Sequence, residues 1–272
     1  MYNVKHFAYP DGYETRMYSR CYDVGKFERI ENDDQDDKIR EPFHGEEKTI
    51  ETFEMFDKRR ERSMMTSRNR TINNVYSLAR CNDWDWFITI TFDPSKIDSF
   101  DYSIVTEKLS NWLSNLRSAD SSIKYIFVPE QHKSGAYHFH GLLNDSSALG
   151  MSYSGHDTKS GDPIYNVGRY RFGFTTATRV ENNVAVTKYI TKYITKDLID
   201  STKGKKRFWA SRNLERPEES KELLELNDRL SLEAELEGRD DVDYKQVIVQ
   251  AGSAEVIRYY NYPRRETDEK DS

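Results

Sequence analysis

The segment Tyr137–Leu143, with the sequence YHFHGLL, is apolar and aromatic and predicts a β-strand. Successive side chains of a strand point to opposite faces of its sheet. His138 and His140 are therefore expected on one face, and Phe139 on the other. Two imidazoles side by side on a strand can hold one metal ion, although two polar residues on a solvated sheet face would have the same spacing.

The strand before this segment offers a third metal ligand. Lys124 to Pro129 predicts a strand, and the residues that follow it are few enough for a hairpin turn, so the two strands are expected to be antiparallel neighbours. Glu130 would then lie beside the histidines. Gln131 and His132 compete with it as third ligand, and the register of the hairpin decides among the three.

Two imidazoles and a carboxylate leave coordination positions open on a divalent cation. Such a site can take Mg²⁺ or Mn²⁺ and accept a phosphate oxygen. A zinc hydrolase is the alternative use of the same ligands. It would need an activated water, and it gives no reason for the paired tyrosines described next.

A repeated tetrapeptide follows, since residues 189–196 read YITKYITK. One helix is expected from about Val184 to Ile199, with Asn182-Asn183 as its cap. Four side chains are expected to share one stripe of this helix, namely those of Tyr189, Lys192, Tyr193 and Lys196. Ile190 and Ile194 on the adjacent stripe can pack the helix onto a sheet.

The two phenols, Tyr189 and Tyr193, are candidate nucleophiles. Their Cβ atoms are expected roughly 5–6 Å apart, and each has a lysine three residues further on, Lys192 and Lys196. A phenol has an unperturbed pKa near 10, and a neighbouring ammonium group favours the nucleophilic phenolate. The alternative is a half-buried aromatic face flanked by solvated lysines.

The surrounding sequence predicts further strands and helices of one domain. Trp84 to Phe92 predicts a strand with Phe87, Thr89 and Thr91 on one face, and residues 102–118 have the apolar spacing of a helix. Tyr170 to Val180 predicts another strand. Residues 144–168 are rich in Ser, Gly, Asp and Asn, and a loop is expected there.

Both ends of the chain lie outside this pattern. Residues 1–50, with an acidic run at 31–37, are expected to be an irregular leader with little core. A basic helix over about 49–80 would either lie on a phosphate backbone or present a solvated face. Residues 217–238 predict an amphipathic helix that covers a sheet, and residues 245–262 predict a hairpin.

Composition narrows the class of protein. The 272 residues carry a formal net charge of −6, so any nucleic-acid contact must come from local basic patches. The sequence has no apolar run of the roughly 18 residues that a membrane span needs, and no apolar segment follows the first residues as in a signal peptide. The two cysteines, Cys21 and Cys81, lack metal-type spacing and favour a reducing compartment.

The motifs, in their order along the chain, resemble those of the HUH endonucleases (His-hydrophobe-His). They are residues 87–92 (FITITF), Glu130 with His138-Phe-His140, and the paired tyrosines. The tyrosines four residues apart resemble those of rolling-circle replication initiators from small single-stranded DNA phages and related plasmids. The resemblance covers about residues 84–212.

The resemblance implies an α+β fold of the ferredoxin-like type, with a central antiparallel sheet and flanking helices. It implies that His138, His140 and Glu130 bind the metal. It implies that Tyr189 or Tyr193 attacks single-stranded DNA at an origin and forms a 5′-phosphotyrosine link. The expected division is a leader and basic helix over 1–80, the endonuclease domain over 81–214, and a C-terminal helix and hairpin over 215–272.

Expected partners follow from this reading. No Gly-x4-Gly-Lys-Ser/Thr phosphate loop is present, so unwinding is expected to fall to a host helicase, with a host polymerase extending the end. The bacterial host cytoplasm is the expected location. A basic segment is expected to contact DNA phosphates, and Trp209 or Phe208 to stack on a base; the candidates are Lys188, Lys203, Lys205, Lys206 and Arg207. A transposase, a relaxase, or a non-catalytic DNA-binding protein are the alternatives.

Overall fold

The computed structural model describes residues 1–23, 53–251 and 253–264. These residues form two compact units, one from 1–23 together with 216–264 and the other from 53–215. In chain order the elements are β1 (Tyr2–Tyr9), β2 (Gly12–Tyr22), α1 (Phe53–Arg80), β3 (Trp86–Phe92), α2 (Tyr102–Ala119), β4 (Tyr125–Gln131), β5 (Tyr137–Leu143), β6 (Met151–Asp157), β7 (Pro163–Val167), β8 (Gly173–Arg179), α3 (Asn183–Ile190), α4 (Lys196–Ser201), β9 (Trp209–Ala210), β10 (Glu218–Glu222), α5 (Leu226–Glu237), β11 (Asp243–Ala251) and β12 (Ser253–Pro263).

The unit over 53–215 is built on a seven-stranded antiparallel sheet, in the order β6-β7-β8-β3-β5-β4-β9. Strands β4 and β5 form the expected hairpin, and β5 pairs with β3 on its other side. Strands and helices alternate irregularly around an antiparallel sheet, so the α+β class is confirmed.

Strand β3, at the centre of the sheet, has the alternation that the sequence predicts. Trp86, Ile88, Ile90 and Phe92 are buried, while the residues between them are half-buried. The buried face packs against the apolar stripe of α2, including Leu109 and Leu113, in one core. The Asp101 carboxylate accepts hydrogen bonds from the first amides of α2 and so begins that helix.

A second core lies on the other face of the sheet. There Val128 and Leu142 pack with Ile190 and Ile194, and with Val75 of α1. The helices cover the part of the sheet where these apolar residues lie. The histidines of β5 belong to the same face.

The predicted single helix from Val184 to Ile199 is wrong, because the chain leaves the helical path after Tyr193. Asn182 does cap α3, as expected, but α3 ends at Ile190 and a 3₁₀ turn follows over Thr191–Tyr193. Thr195 is extended (φ −85°, ψ 169°), and its hydroxyl accepts a hydrogen bond from the Leu198 amide to begin α4. A threonine hydroxyl competes for backbone amides in this way, and that competition favours a cap over helix continuation.

Two further expectations are corrected. The predicted loop over 144–168 contains a second hairpin, β6 with β7, which the polar composition concealed. Strand β10 precedes α5, so the predicted helix over 217–238 begins only at Leu226. The helix predicted over 49–80 is present as α1, and residues 49–52 lie outside the described part of the chain.

The irregular leader predicted for residues 1–50 is wrong over β1 and β2. These strands form the middle of a five-stranded sheet in the order β10-β1-β2-β12-β11, and the predicted C-terminal hairpin is confirmed as β11 with β12. Val4 and Met17 are fully buried with Tyr260, and Leu236 of α5 joins this core. The acidic run at 31–37 lies outside the described residues.

In the described ranges, the helices fall short of the length and apolar character that a membrane crossing demands.

Candidate active site

Two histidines and two threonines face each other across neighbouring strands. In the register of β3 with β5, Thr89 lies opposite His140 and Thr91 lies opposite His138. Each threonine Oγ1 is hydrogen-bonded to the Nδ1 atom of its histidine, at 3.0 Å for His140 and 3.2 Å for His138. Both imidazoles are therefore held by Nδ1, and Nε2 is the nitrogen left for a ligand.

Glu130 lies beside these histidines. Hairpin register places it opposite His138, and its Oε2 is 2.7 Å from His140 Nε2. His132 lies farther along, with its ring centroid 5.3 Å from that of His138. The Gln131 amide instead donates to the Gly135 carbonyl within the turn. The structure thus brings Glu130 into contact with the His-x-His pair and turns Gln131 away.

Burial favours the neutral form of both imidazoles. It lowers the pKa of His138 and His140 below the ordinary value, and for His140 this outweighs the opposing pull of the Glu130 carboxylate. Neutral imidazole is the form that binds metals. The electrostatic environment therefore suits a ligand role.

The donor set fits a divalent cation in its chemistry, because two imidazoles and one carboxylate share a face and His140 already meets Glu130. Among the described residues, however, no three His, Cys, Asp or Glu side chains form a ready-made group that could hold a metal ion. His138, His140 and Glu130 are the residues that would come together to hold one.

The two tyrosines lie directly over this face. The ring of Tyr193 stacks on His140, with centroids 3.6 Å apart and planes 15° from parallel. Tyr189 meets Tyr193 edge to face at 5.5 Å, and Phe87 supports Tyr189 at 5.3 Å. Tyr189 is 43% exposed, whereas Tyr193 is half-buried. Two phenols thus lie beside one imidazole–carboxylate pair, and they differ in access to solvent.

The break between α3 and α4 creates this placement. Ile194 is buried below Tyr193, and its carbonyl, which no longer has a helical partner, accepts a hydrogen bond from Arg68 Nε of α1 at 2.8 Å. One basic side chain of α1 therefore stabilises the turn that carries a candidate nucleophile. Arg60 of the same helix pairs with Asp200.

The expected effect of the lysines on the tyrosines is wrong for Tyr193. Its pKa is raised, first by burial, then by a hydrogen bond with Tyr189 and by the charge of Glu130. Lys196 begins α4 beyond the helix break, so the predicted shared stripe is interrupted. Lys192 does reach Tyr189, with Nζ 5.1 Å from the ring centroid.

The segment expected to bind DNA is partly taken up by the fold. Trp209 is only 4% exposed, and its Nε1 donates to Ser110 Oγ, so no ring face is open to a base. Arg207 donates to Ser67, Thr202 and Ile199. The ammonium groups of Lys205 and Lys206 lie over the rings of Tyr102 and Trp209. Lys188 and Lys203 are exposed, and both have interactions within the protein.

Sequence reasoning missed three contributors to this face. Thr89 and Thr91 were assigned to the correct side of β3, but their histidine contacts depend on strand register, which the sequence does not give. Phe87 packs both Tyr189 and Tyr193. Phe174 of β8 pairs with Thr91 and is 69% exposed, so an aromatic ring borders the histidines.

Comparison with known proteins gives one match. Residues 85–198, from the start of β3 into α4, match the family model of the ORF2-type replication-associated proteins. No curated protein and no solved structure matches the chain. The matched span contains the histidines, Glu130 and both tyrosines, and the match supports a role in replication initiation.

Proposed function

We propose that this protein nicks single-stranded DNA at a replication origin and rejoins the ends during rolling-circle replication. The observation that carries the proposal is the stacking of Tyr193 on His140 at 3.6 Å, with Tyr189 alongside and Glu130 hydrogen-bonded to the same imidazole. A solvated sheet face would not gather two phenols, two imidazoles and a carboxylate at one place. The arrangement suits the HUH type of endonuclease, and we propose its ferredoxin-like core for the unit over 53–215.

In this proposal His138, His140 and Glu130 hold Mg²⁺ or Mn²⁺. The ion, when bound, supplies a Lewis acid that polarises the phosphate to be attacked. The protein's own residues orient the ligands. A threonine hydroxyl can donate to Nδ1 or accept from it, so Thr89 and Thr91 can hold either tautomer of the imidazoles.

The chemical step is a transesterification. The phenol oxygen of one tyrosine bonds to phosphorus, the bond from phosphorus to the 3′ oxygen breaks, and the phenol proton is passed on so that the leaving oxygen ends as a 3′-OH. The number of phosphoester bonds is unchanged, so the reverse reaction rejoins ends without ATP. A second tyrosine can cut again while the first still holds its DNA end. Lys192, beside Tyr189, can favour the phenolate during attack.

We further propose a single-stranded origin as substrate, with a host helicase and polymerase as partners in the host cytoplasm. The exposed side chains of Lys188, Lys203 and Lys205 remain candidates for phosphate contacts, as does Lys196. The burial of Trp209 removes it from the set of stacking candidates.

A covalent-adduct assay tests the proposed function. The protein is incubated with Mn²⁺ and a pool of single-stranded, origin-like oligonucleotides, and then analysed by denaturing gel and mass spectrometry. We expect a DNA-shifted protein with the adduct on Tyr189 or Tyr193, and none in the double variant Tyr189→Phe, Tyr193→Phe. Chelation of divalent ions should abolish the adduct while leaving single-stranded DNA binding.

Cleavage without any adduct, yielding a free 5′-phosphate, would indicate a hydrolytic nuclease and overturn the proposal. Binding of metal and DNA with neither cleavage nor adduct across a broad pool would favour a non-catalytic DNA-binding protein.

A further inference from the structure

A polar cavity of about 730 Å³ lies between α2 and the segment that precedes β8. Its volume is in the range of about 300–1,000 Å³ that small-molecule sites take. The lining residues used below are Trp112, Asn115 and Ser118 from α2, and Arg169, Arg171 and Phe172 from the segment before β8. No carboxylate is among the described residues that line it.

One wall of the cavity contains a buried donor without a partner. Trp112 is 3% exposed, and its Nε1 has no hydrogen-bond acceptor within the described residues. Its ring is fixed edge to face against Phe127 and Tyr170. Burying an N–H group without an acceptor costs free energy, and such a group in a native fold calls for an explanation. An acceptor on a bound molecule would satisfy it.

The opposite wall carries positive charge. Arg169 and Arg171 are exposed, and no ion pair within the described ranges neutralises either guanidinium. A guanidinium group binds phosphate oxygens with two parallel hydrogen bonds. Phe172 is half-buried beside them and offers a ring for stacking, while Asn115 can both donate and accept.

This combination of groups suits a nucleotide better than a free anion. Two arginines suit a phosphate, the aromatic ring suits a base, and the buried indole N–H suits a base carbonyl or ring nitrogen. A simple anion would leave the apolar part of the lining without a function. We propose that the cavity binds one nucleotide of a single-stranded DNA chain.

The position of the cavity connects it to the candidate active site. The Tyr170 hydroxyl donates to the Thr91 carbonyl at 3.4 Å, and the Asp93 amide donates to the Phe172 carbonyl at 2.9 Å. Thr91 is the residue that holds His138. The cavity and the histidine face therefore share one end of the sheet on opposite faces, and a strand bound at the histidines can pass around that end to the cavity. This inference rests on the proposed function for its choice of DNA.

Binding is measured in the presence of EDTA, with the full chain and a short fluorescent oligothymidylate, by anisotropy over a series of salt concentrations. The double variant Arg169→Ala, Arg171→Ala should weaken binding about ten-fold and reduce the slope of log affinity against log salt by roughly 1.4, since each single-strand phosphate contact contributes about 0.7. The charge-matched control Lys108→Ala, Lys159→Ala removes two positive charges that lie away from the cavity. Equal binding by the two double variants would overturn the inference.

Trp112→Phe keeps an aromatic ring and removes the donor. We expect several-fold weaker binding with an unchanged salt slope, provided that thermal melting shows the variant folded; the arginine variant keeps the test decisive if it is not. Photo-crosslinking with a 5-iodouracil oligonucleotide should label the Trp112 or Phe172 peptide. Labelling only elsewhere would overturn the proposal, and so would free thymidine monophosphate that competes as well as the oligonucleotide, since that result indicates a site for free nucleotides.

The two proposals can fail separately. A wild-type protein that forms the tyrosine adduct but binds DNA equally with and without the arginines refutes only the cavity. A protein that needs the arginines for binding but never forms an adduct refutes only the proposed chemistry.

Discussion

Thr89 and Thr91 show how a pair of hydroxyls can set the geometry of two imidazoles. Each faces its histidine across one strand pair, and each engages Nδ1. Groups in this position around a metal ligand orient the ring and tune its affinity. The same hydroxyl can serve either tautomer, so the imidazoles need not lose their support when Nε2 releases its proton.

Replacing both threonines by valine should weaken Mn²⁺ binding by roughly 10-fold or more, because the imidazoles lose their orienting hydrogen bonds. Isothermal titration with Mn²⁺ measures this directly, without DNA. The matched control is Thr176→Val on β8, which pairs with Thr89 in the sheet. Equal affinity of the double variant and this control would refute an orienting role.

The two tyrosines differ in access, and this difference predicts their order of use. Tyr189 is 43% exposed, while Tyr193 is stacked on His140. Tyr189→Phe should reduce first-strand adduct formation at least ~100-fold, because it removes the accessible nucleophile. Tyr193→Phe should keep the first adduct and lose strand joining. Single-turnover adduct assays with each variant provide the measurement, and the reverse pattern would contradict the assignment.

The candidate site was partly predictable from these residues. Alternation along a strand placed His138 with His140, and a short hairpin placed Glu130 nearby, since both features depend on residues close in sequence. The Thr89–His140 contact depends on the register between distant strands. The Tyr193–His140 stack depends on a helix break that the repeated YITK sequence gave no sign of.

At the scale of elements, β5 is constrained on both faces. Its outer face carries the histidines, while Gly141 on its inner face lies opposite Phe127 of β4. A Cβ at Gly141 would overlap the Phe127 ring. The strand that carries the histidines therefore needs a glycine because a neighbouring ring lies across it.

Gly141→Ala should destabilise the unit over 53–215 by about 1–3 kcal/mol, the usual range for overpacking a core. Chemical denaturation of this variant, of Phe127→Leu and of the double variant measures the coupling. If the ring is the cause, the double variant should lose less stability than the two single losses combined. Simple additivity would indicate a different cause.

Elements with strong periodicity were predicted well. Strand β3 and helix α2 alternate in the manner of their buried faces, and β11 with β12 was expected as a hairpin. The hairpin β6–β7 was missed because its residues are largely exposed and polar, so burial left no pattern. Strands β1 and β2 were missed because their partners lie at the other end of the chain.

At the scale of the whole molecule, the unit that joins the two chain ends has a small core of its own. Met17, on the central strand β2, is fully buried and packs with Val4, Tyr260 and Leu236. Truncating a central side chain of a small core leaves a cavity that few neighbours can fill.

Met17→Ala should therefore destabilise this unit by about 2–5 kcal/mol. Hydrogen exchange of the β12 amides, which pair with β2, measures the loss locally. The matched control is Met65→Ala on α1, where the side chain is 42% exposed and the change should stay within about 0.5 kcal/mol. Similar protection of β12 in both variants would contradict the assigned core.

The five-stranded sheet also sets a timetable for synthesis. The β1–β2 hairpin needs β10 on one side and β12 on the other, yet about two hundred residues separate β2 from β10. At roughly 5–20 residues per second, a ribosome takes about 10–40 s to supply them. During that interval both edges of the hairpin are without their final neighbours and open to pairing with other nascent chains. The unit over 53–215 can complete its sheet first, so the order of translation favours early folding of the candidate catalytic unit.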